Sequence, residues 1–168
     1  MLQVASPAAV SSPAPSACSA PRDALLTRFG PIVVDPARTI RIPQGLFGFG
    51  HRTRFVLADL PERDVPFKLL QSVDDPALGF LVLPLVGDAP VRRRDLELAA
   101  RQSGIAPEAL IGLAIVTLRA TPGDLRCTLN LKAPILIDSE RRLGMQHVLA
   151  KDDYDVRHPL RLDGAEAA

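Results

Sequence analysis

The sequence predicts an all-β, mainly antiparallel fold: a partly or fully closed β-barrel with one or two short helices. Its apolar runs are short and are separated by Pro, Gly and Asp, which is typical of strands joined by turns. Residues 125–133, LRCTLNLKA, alternate between apolar and polar side chains, so this strand has one buried face and one face in water. Helical periodicity is confined to a segment near residue 100.

The remaining strands are predicted from short apolar segments bounded by turn residues. Residues 110–118, LIGLAIVTL, are apolar on both faces and predict a central strand that is buried on both sides. Turns are expected at 122–124 and 138–144. The other predicted strands are Ile32–Val34 and Thr39–Ile42, as an opening hairpin, and Arg54–Leu57, Phe67–Val73, Gly79–Leu83 and Met145–Leu149.

The segment Asp95–Ser103, DLELAARQS, is predicted to be a helix. Leu96, Ala99 and Ala100 have the i, i+3, i+4 spacing that places apolar side chains in a narrow stripe on one helical face. Asp95 is predicted to be the N-cap, whose side chain accepts hydrogen bonds from free backbone N–H groups. Gly104 suits the left-handed position that often follows a helix.

The length of 168 residues suits one domain, which we place at residues 25–160. Residues 1–24 are rich in Ala, Ser and Pro, and this composition cannot bury enough apolar surface to offset its ordering entropy, so a disordered tail is predicted. Residues 161–168 are predicted to be a flexible C-terminal tail. We expect neither a secretory signal nor a membrane span, because no apolar run approaches about 18 residues.

Composition argues against nucleic-acid binding as the main function. The formal net charge is +1, with 20 Lys+Arg against 19 Asp+Glu, whereas neutralising phosphates needs a clear basic excess. Six Phe, one Tyr and no Trp are few for stacking on bases. A nucleic-acid-binding barrel would require Arg92–Arg94, Arg141 and Arg142 to lie on one face. The two cysteines are far apart in sequence, which indicates no disulfide framework and fits a reducing compartment.

The chain contains no sequence motif for a metal or a cofactor. His51, His147 and His158 belong to no HxH or HExxH pattern, so no metal site is expected. Cys127 lies on the apolar face of its strand and is predicted to be a small buried side chain. Residues 45–50, GLFGFG, lack the Lys-Ser/Thr of a phosphate-binding loop and predict a bend between strands.

The adjacent carboxylates of Asp74 and Asp75 have two interpretations. They precede a proline between two predicted strands, where Asp and Pro favour a β-turn. Alternatively, a small β-barrel hydrolase would combine Asp74 or Asp75 with an acid at 152–155, or with His147 or His158. The sequence alone does not bring these residues together.

Seven stretches form a recognisable series when they are taken in order. They are TRFGPIVVD (27–35), IRIPQGLFGF (40–49), FVLADL (55–60), LLQSVDDPALGFLVL (69–83), GLAIVTL (112–118), LNLKAPILID (129–138) and DVRHPL (155–160). LQSVDDP and NLKAPI are a fairly specific pair in this order and spacing. Over nearly all of residues 25–160, the chain resembles the FliW family of bacterial flagellar assembly factors.

The resemblance implies a cytoplasmic, non-enzymatic protein with two protein partners. FliW proteins bind CsrA, a translational regulator whose dimers block translation of flagellin mRNA, and so relieve that block. They also bind newly made flagellin, which then occupies FliW and frees CsrA. This partner switching is a linkage effect, because each partner lowers the apparent affinity of the other. The family acts away from the RNA-binding surface of CsrA, and direct nucleic-acid binding is not expected of this chain.

The resemblance implies partner-binding residues through the positions that match the two motifs. Asn130 and Lys132 lie on the polar face of their predicted strand, whereas Gln71 has the parity of its apolar neighbours and is favoured to be buried. Acidic residues near the C-terminus supply a negative patch in a chain that is otherwise more basic than relatives commonly are. The predicted partner-binding residues are Gln71, Asp74, Asn130, Lys132, Asp152, Asp153 and Asp155.

Overall fold

The computed structural model of the protein describes residues 24–60, 65–122 and 124–161. Within them lie one α-helix, α1, at Arg93–Gln102 and short 3₁₀ turns at Pro36–Arg38 and Pro107–Ala109. The strands are β1 (Ala24–Thr27), β2 (Gly30–Val33), β3 (Ile40–Arg41), β4 (Arg54–Asp59), β5 (Lys68–Ser72), β6 (Gly79–Pro84), β7 (Leu110–Thr121), β8 (Asp124–Asp138), β9 (Leu143–Gln146) and β10 (His158–Leu160).

The two predicted tails fall almost entirely outside the described residues. Ala24, the last residue of the predicted N-terminal tail, is the first residue of β1. Gly123, in the predicted turn at 122–124, also lies outside the described residues. Among the described residues, no helix has both the length and the apolar character needed to cross a membrane.

Seven strands close into a barrel, which confirms the predicted fold class. Neighbours from β3 to β9 pair in the order β9-β3-β4-β5-β6-β7-β8, and β8 pairs again with β9 to complete the ring. The β3–β9 pair is parallel, and the other pairs in the ring are antiparallel. Strand β10 adds to β8 outside the ring, and β1 and β2 form a separate antiparallel hairpin. Closure removes the free strand edges that an open sheet would expose.

Apolar side chains form two cores, one on each side of the barrel wall. Strand β7 shows why: Leu113 belongs to the cluster that fills the barrel, and the next residue, Ala114, belongs to the cluster under α1. Successive side chains of a strand point to opposite faces, so a strand between two cores must be apolar on both. This confirms the prediction for the middle of 110–118, although Ile111 and Leu118 near its two ends are exposed.

Helix α1 covers the outer core with the predicted stripe. Leu96, Ala99 and Ala100 are buried, and Gly104 follows the helix at φ +72°, the left-handed conformation expected of it. The predicted N-cap was wrong: the helix starts at Arg93, so Asp95 lies in its first turn instead of before it. Its carboxylate instead accepts hydrogen bonds from Lys151 and Tyr154 of a distant loop.

The predicted opening hairpin was also wrong. Strand β2 pairs with β1, and β3 pairs with β4 and β9 instead of with β2. The reason is long-range: the barrel can close only if the short strand β3 bridges β4 and β9, and the local sequence carries no signal for that contact. The predicted bend at 45–50 is confirmed, and its Leu46 is buried in the barrel core.

Candidate partner-binding site

In the turn between β5 and β6, the carboxylates of both aspartates bind other residues of the same domain. Asp74 Oδ2 accepts hydrogen bonds from the backbone N–H groups of Thr53 (2.8 Å) and Arg54 (3.0 Å), and its Oδ1 lies 2.7 Å from Arg54 Nε. Asp75 pairs with the guanidinium of Arg52 at 3.0 Å. The carboxylates therefore tie this turn to the start of β4, as the turn interpretation predicts.

Electrostatics hold Asp74 in its charged form. Burial of the carboxylate acts to raise its pKa, but the hydrogen bonds from the Thr53 and Arg54 backbones and the Arg54 side chain outweigh it. The pKa of Asp74 is therefore below its usual value, and its negative charge is matched locally. A carboxylate so engaged offers little to a partner.

Gln71 is buried beneath the same turn, with 1% of its surface exposed. Its Nε2 donates to the backbone carbonyls of Leu78 (2.7 Å) and Ser72 (3.0 Å) and lies 3.2–3.3 Å from two more. Gly79 leaves room for the amide, since a Cβ there would lie 2.8 Å from Gln71 Oε1. Gln71 is therefore buried, as the parity of its strand favours, and its side chain is enclosed by its own turn instead of being presented to a partner.

The second motif, NLKAPI, forms a large bulge in β8. Leu113 of β7 pairs with Ile135, and Ile115 pairs with Asn130, so β8 advances five residues while β7 advances two. The Asn130 side chain accepts a hydrogen bond from Ala133 N at 3.0 Å across the bulge. Asn130 therefore has a structural task as well as a half-exposed position. Pro134, which has no N–H to give to a ladder, sits inside this irregular stretch.

The chain after β9 runs along the bulge and forms an exposed loop. His147 N and Leu149 N donate to carbonyls of the bulge at 2.9 Å. We call residues 151–156 the acidic loop. Lys132 holds this loop to the bulge, since its Nζ donates to Lys151 O at 2.8 Å and lies 3.3 Å from Asp152 Oδ1. The structure thus brings Lys132 next to Asp152, one of the predicted acids.

A buried carboxylate on α1 fixes the same loop from the side. Asp95, with 7% of its surface exposed, accepts hydrogen bonds from Lys151 Nζ and from the Tyr154 hydroxyl, both at 2.6 Å. These two bonds, that of Lys151 first, hold the pKa of Asp95 below its usual value. Burial, together with the bond to Asp95, raises the pKa of Tyr154. Since Lys151 and Tyr154 point inward to Asp95, the acids between and beside them point outward.

The acidic loop displays its own carboxylates. The Asp152 side chain is fully exposed, Asp153 is 62% exposed and 3.4 Å from Arg92 Nη1, and Asp155 is exposed. Val148 and Val156 flank these acids and are more than half exposed. Because these charges lie beside exposed apolar side chains on a backbone fixed by Asp95, this loop is the candidate partner-binding surface.

The catalytic and nucleic-acid alternatives receive no support from these positions. Among the described residues, neither Asp74 nor Asp75 has a histidine as a hydrogen-bond partner. The described part of the chain also holds no cluster of three or more His, Cys, Asp or Glu side chains placed for a metal. The arginines of the basic run are each matched by a carboxylate: Arg92 by Asp153, Arg93 by Glu97 and Arg94 by Asp95.

Sequence reasoning missed the residues that position the acidic loop. Asp95 was assigned to a helix cap, and Lys151 and Tyr154 were given no role. One signal was present: Tyr154 is the sole tyrosine of the chain and lies between two aspartates. A tyrosine in an acidic segment has both an apolar ring to bury and a hydroxyl to donate, which favours an anchor.

Comparisons with known proteins show which family this chain belongs to. The family model described as "FliW protein" matches residues 24–160. A relative from Geotalea uraniireducens (strain Rf4), named flagellar assembly factor FliW, is 36% identical over 141 residues, covering 79% of this chain and 80% of the relative. A protein of the same name from Geobacillus sp. (strain WCH70) is 37% identical over 132 residues, covering 78% and 90%. A crystal structure of the flagellar assembly factor FliW aligns with a TM-score of 0.64 at 31% identity, covering 84% of this chain and 99% of that one.

The protein is a closed β-barrel. Its motifs LQSVDDP and NLKAPI form a turn and a bulge that stabilise the fold, and the acidic loop lies exposed beside the bulge. The extent and identity of these matches place the chain plainly in the FliW family. This confirms the family inferred from the motifs. Flagellar assembly, the role in the names of these relatives, is the function that family membership supports.

Proposed function

We propose that this protein is a cytoplasmic flagellar assembly factor that binds either CsrA or flagellin, so that the two partners compete for it. Binding of CsrA relieves its repression of flagellin mRNA translation, and binding of flagellin releases CsrA again. The observation that carries the proposal is the match of residues 24–160 to the FliW family. The protein needs no catalytic residue for this function, because the regulatory output is a change in the free concentration of CsrA.

The acidic loop is the surface that we assign to CsrA. Three displayed carboxylates, Asp152, Asp153 and Asp155, would pair with basic side chains of CsrA that lie outside its RNA-binding surface. Val148 and Val156 add apolar area beside the charges. Lys132 and Asn130 contribute by holding the loop and the bulge beneath it. Asp74 is excluded from this surface, since its carboxylate is bound to residues 53–54.

Charge neutralisation on the loop tests this assignment. The variant D152N/D153N/D155N removes three exposed charges and leaves the bonds of Asp95 in place. We expect CsrA affinity at low salt to fall by about tenfold or more, with a weaker dependence on salt, because charged rims steer association. The measurement is isothermal titration calorimetry of the full chain with CsrA from the same genome.

A matched control removes three exposed acids elsewhere. D88N/E108Q/E140Q makes the same change in net charge without touching the acidic loop. Affinity within about threefold of the unmodified protein is expected for the control. Equal losses in both triple variants would show that total charge matters and the loop does not. Absence of CsrA binding by the unmodified chain would overturn the proposed function itself.

A further inference from the structure

A cavity of about 290 Å³ opens at one end of the barrel, away from the turn that holds Asp74. Its walls come from the first residues of β3, β5 and β7 and from the last residues of β4 and β8, which antiparallel pairing brings to the same end. The lining is mixed: the apolar side chains of Ile40, Leu57, Ile111 and Ile137, which we call its floor, lie beside a larger polar surface. The volume is sufficient for one short apolar group.

The rim of this cavity carries more positive than negative charge. Lys68 is paired with Asp59, and the buried Asp138 accepts hydrogen bonds from the N–H groups of Glu140 and Arg141 at 3.0 and 2.9 Å. Both rim carboxylates are therefore engaged. Arg38 and Arg142 also line the cavity, and neither has a carboxylate at ion-pair distance among the described residues. Ser139 also lines the cavity.

Arg142 has a backbone conformation that glycine adopts more readily than arginine. Its φ of +53° is left-handed, in a four-residue connection between Asp138 and Leu143 that would readily accept glycine. Strain of this kind is concentrated where a side chain has a task. Here the residue in this conformation lines the cavity, and its carbonyl anchors β3 through Arg41 N at 2.8 Å.

We propose that this cavity binds a carboxylate that carries a short apolar group. Two guanidinium groups match a carboxylate through paired N–H donors, and the floor accepts the apolar part. Two sources have this chemistry: the C-terminus of a polypeptide that ends in an apolar residue, and a short fatty acid. The site is separate from the acidic loop, so it does not rest on the CsrA assignment.

Matched small probes test the chemistry. N-acetyl-leucine should bind the full chain with a Kd on the order of 1 mM and perturb the amide NMR signals of residues 38 and 139–142. N-acetyl-leucinamide, which lacks the charge, and inorganic phosphate, which lacks the apolar group, should each bind at least about tenfold more weakly. Hexanoate identifies the source: affinity equal to that of N-acetyl-leucine indicates a fatty acid, and weaker affinity indicates a polypeptide C-terminus.

Arg142→Gly separates binding from folding. This variant removes the cation and relieves the left-handed strain, so it should unfold at an equal or higher urea concentration. Its affinity for N-acetyl-leucine should nevertheless fall by about tenfold. Arg101→Ala, an exposed cation of α1, is the charge-matched control and should bind normally. Unchanged affinity in Arg142→Gly, equal affinity for the amide or for phosphate, or no binding of either carboxylate would overturn the proposal.

Discussion

The β5–β6 turn and the acidic loop both contain neighbouring aspartates, but they use them in opposite ways. In the turn, Asp74 and Asp75 bind backbone N–H groups and arginines of the same domain. In the loop, Asp152 and Asp153 face solvent, while Lys151 and Tyr154 turn inward to Asp95. The LQSVDDP motif therefore maintains the fold, whereas the aspartates of the acidic loop, which belong to no equally distinctive motif, remain exposed to solvent.

Gln71→Ala is expected to have the largest effect on stability. It leaves buried carbonyls without their donor and opens a cavity beneath the turn, so we expect a loss of about 2–4 kcal/mol in the free energy of unfolding. Urea denaturation followed by circular dichroism measures it. Gln71→Leu, which restores most of the volume but no donor, should recover only part of the loss. A loss below about 0.5 kcal/mol would show that the amide does not organise the turn.

Asp74→Ala should cost about 1–2 kcal/mol, comparable to the loss of a helix cap, because two backbone N–H groups lose their acceptor. The effect should depend on pH. The pKa of Asp74 in the folded protein lies below its usual value, so its stabilisation is present above about pH 4 and is lost as pH falls through the folded pKa. Denaturation of both proteins at pH 7 and pH 3 should show the difference shrinking in acid. A constant difference would contradict the charged role.

Tyr154→Phe tests whether the acidic loop is held by α1. Loss of the hydroxyl that bonds to Asp95 should reduce stability by about 1 kcal/mol. Hydrogen exchange should accelerate at residues 151–156 while the barrel strands remain protected. Val148→Ala, a change of similar size at an exposed neighbouring position, serves as the control and should leave exchange in the loop unchanged. Uniform acceleration over the whole chain in Tyr154→Phe would argue that the tyrosine is merely part of the core.

Asp152→Ala should have the smallest effect on stability, within about 0.5 kcal/mol of zero, because its carboxylate is fully exposed. Comparing its unfolding free energy with that of Asp74→Ala shows how much more an aspartate bound within the domain stabilises the fold than one exposed to solvent. A stability loss equal to that of Asp74→Ala would remove the distinction between the two regions.

The sequence predicted those features that depend on residues close together in the chain. The alternation predicted for 125–133 was found over 126–133, where burial is described, and the stripe of Leu96, Ala99 and Ala100 and the turn at Asp74 and Asp75 were found as predicted. The end of β8 was missed, since the predicted strand stopped before Pro134 while the observed one passes through a bulge to Asp138. A bulge breaks the alternation that identifies a strand, so periodicity cannot follow the chain across it.

The parts of the site that sequence could not supply depend on long-range contacts. Asp95 is 56 positions from Lys151 and 59 from Tyr154, and no spacing rule links them. The pairing of β3 with β9 and the cavity rim formed by Arg38 and Arg142 arise in the same way from closure of the barrel. These features follow from topology, which short sequence patterns do not encode.

The most direct test of the central claim is competition between the two partners. Full-length protein would be titrated with CsrA from the same genome, alone and after saturation with flagellin. The account predicts that CsrA binds the free protein and that prior saturation with flagellin abolishes or strongly weakens this binding, as exchange at one protein requires. Undiminished CsrA affinity in the presence of saturating flagellin would contradict partner switching.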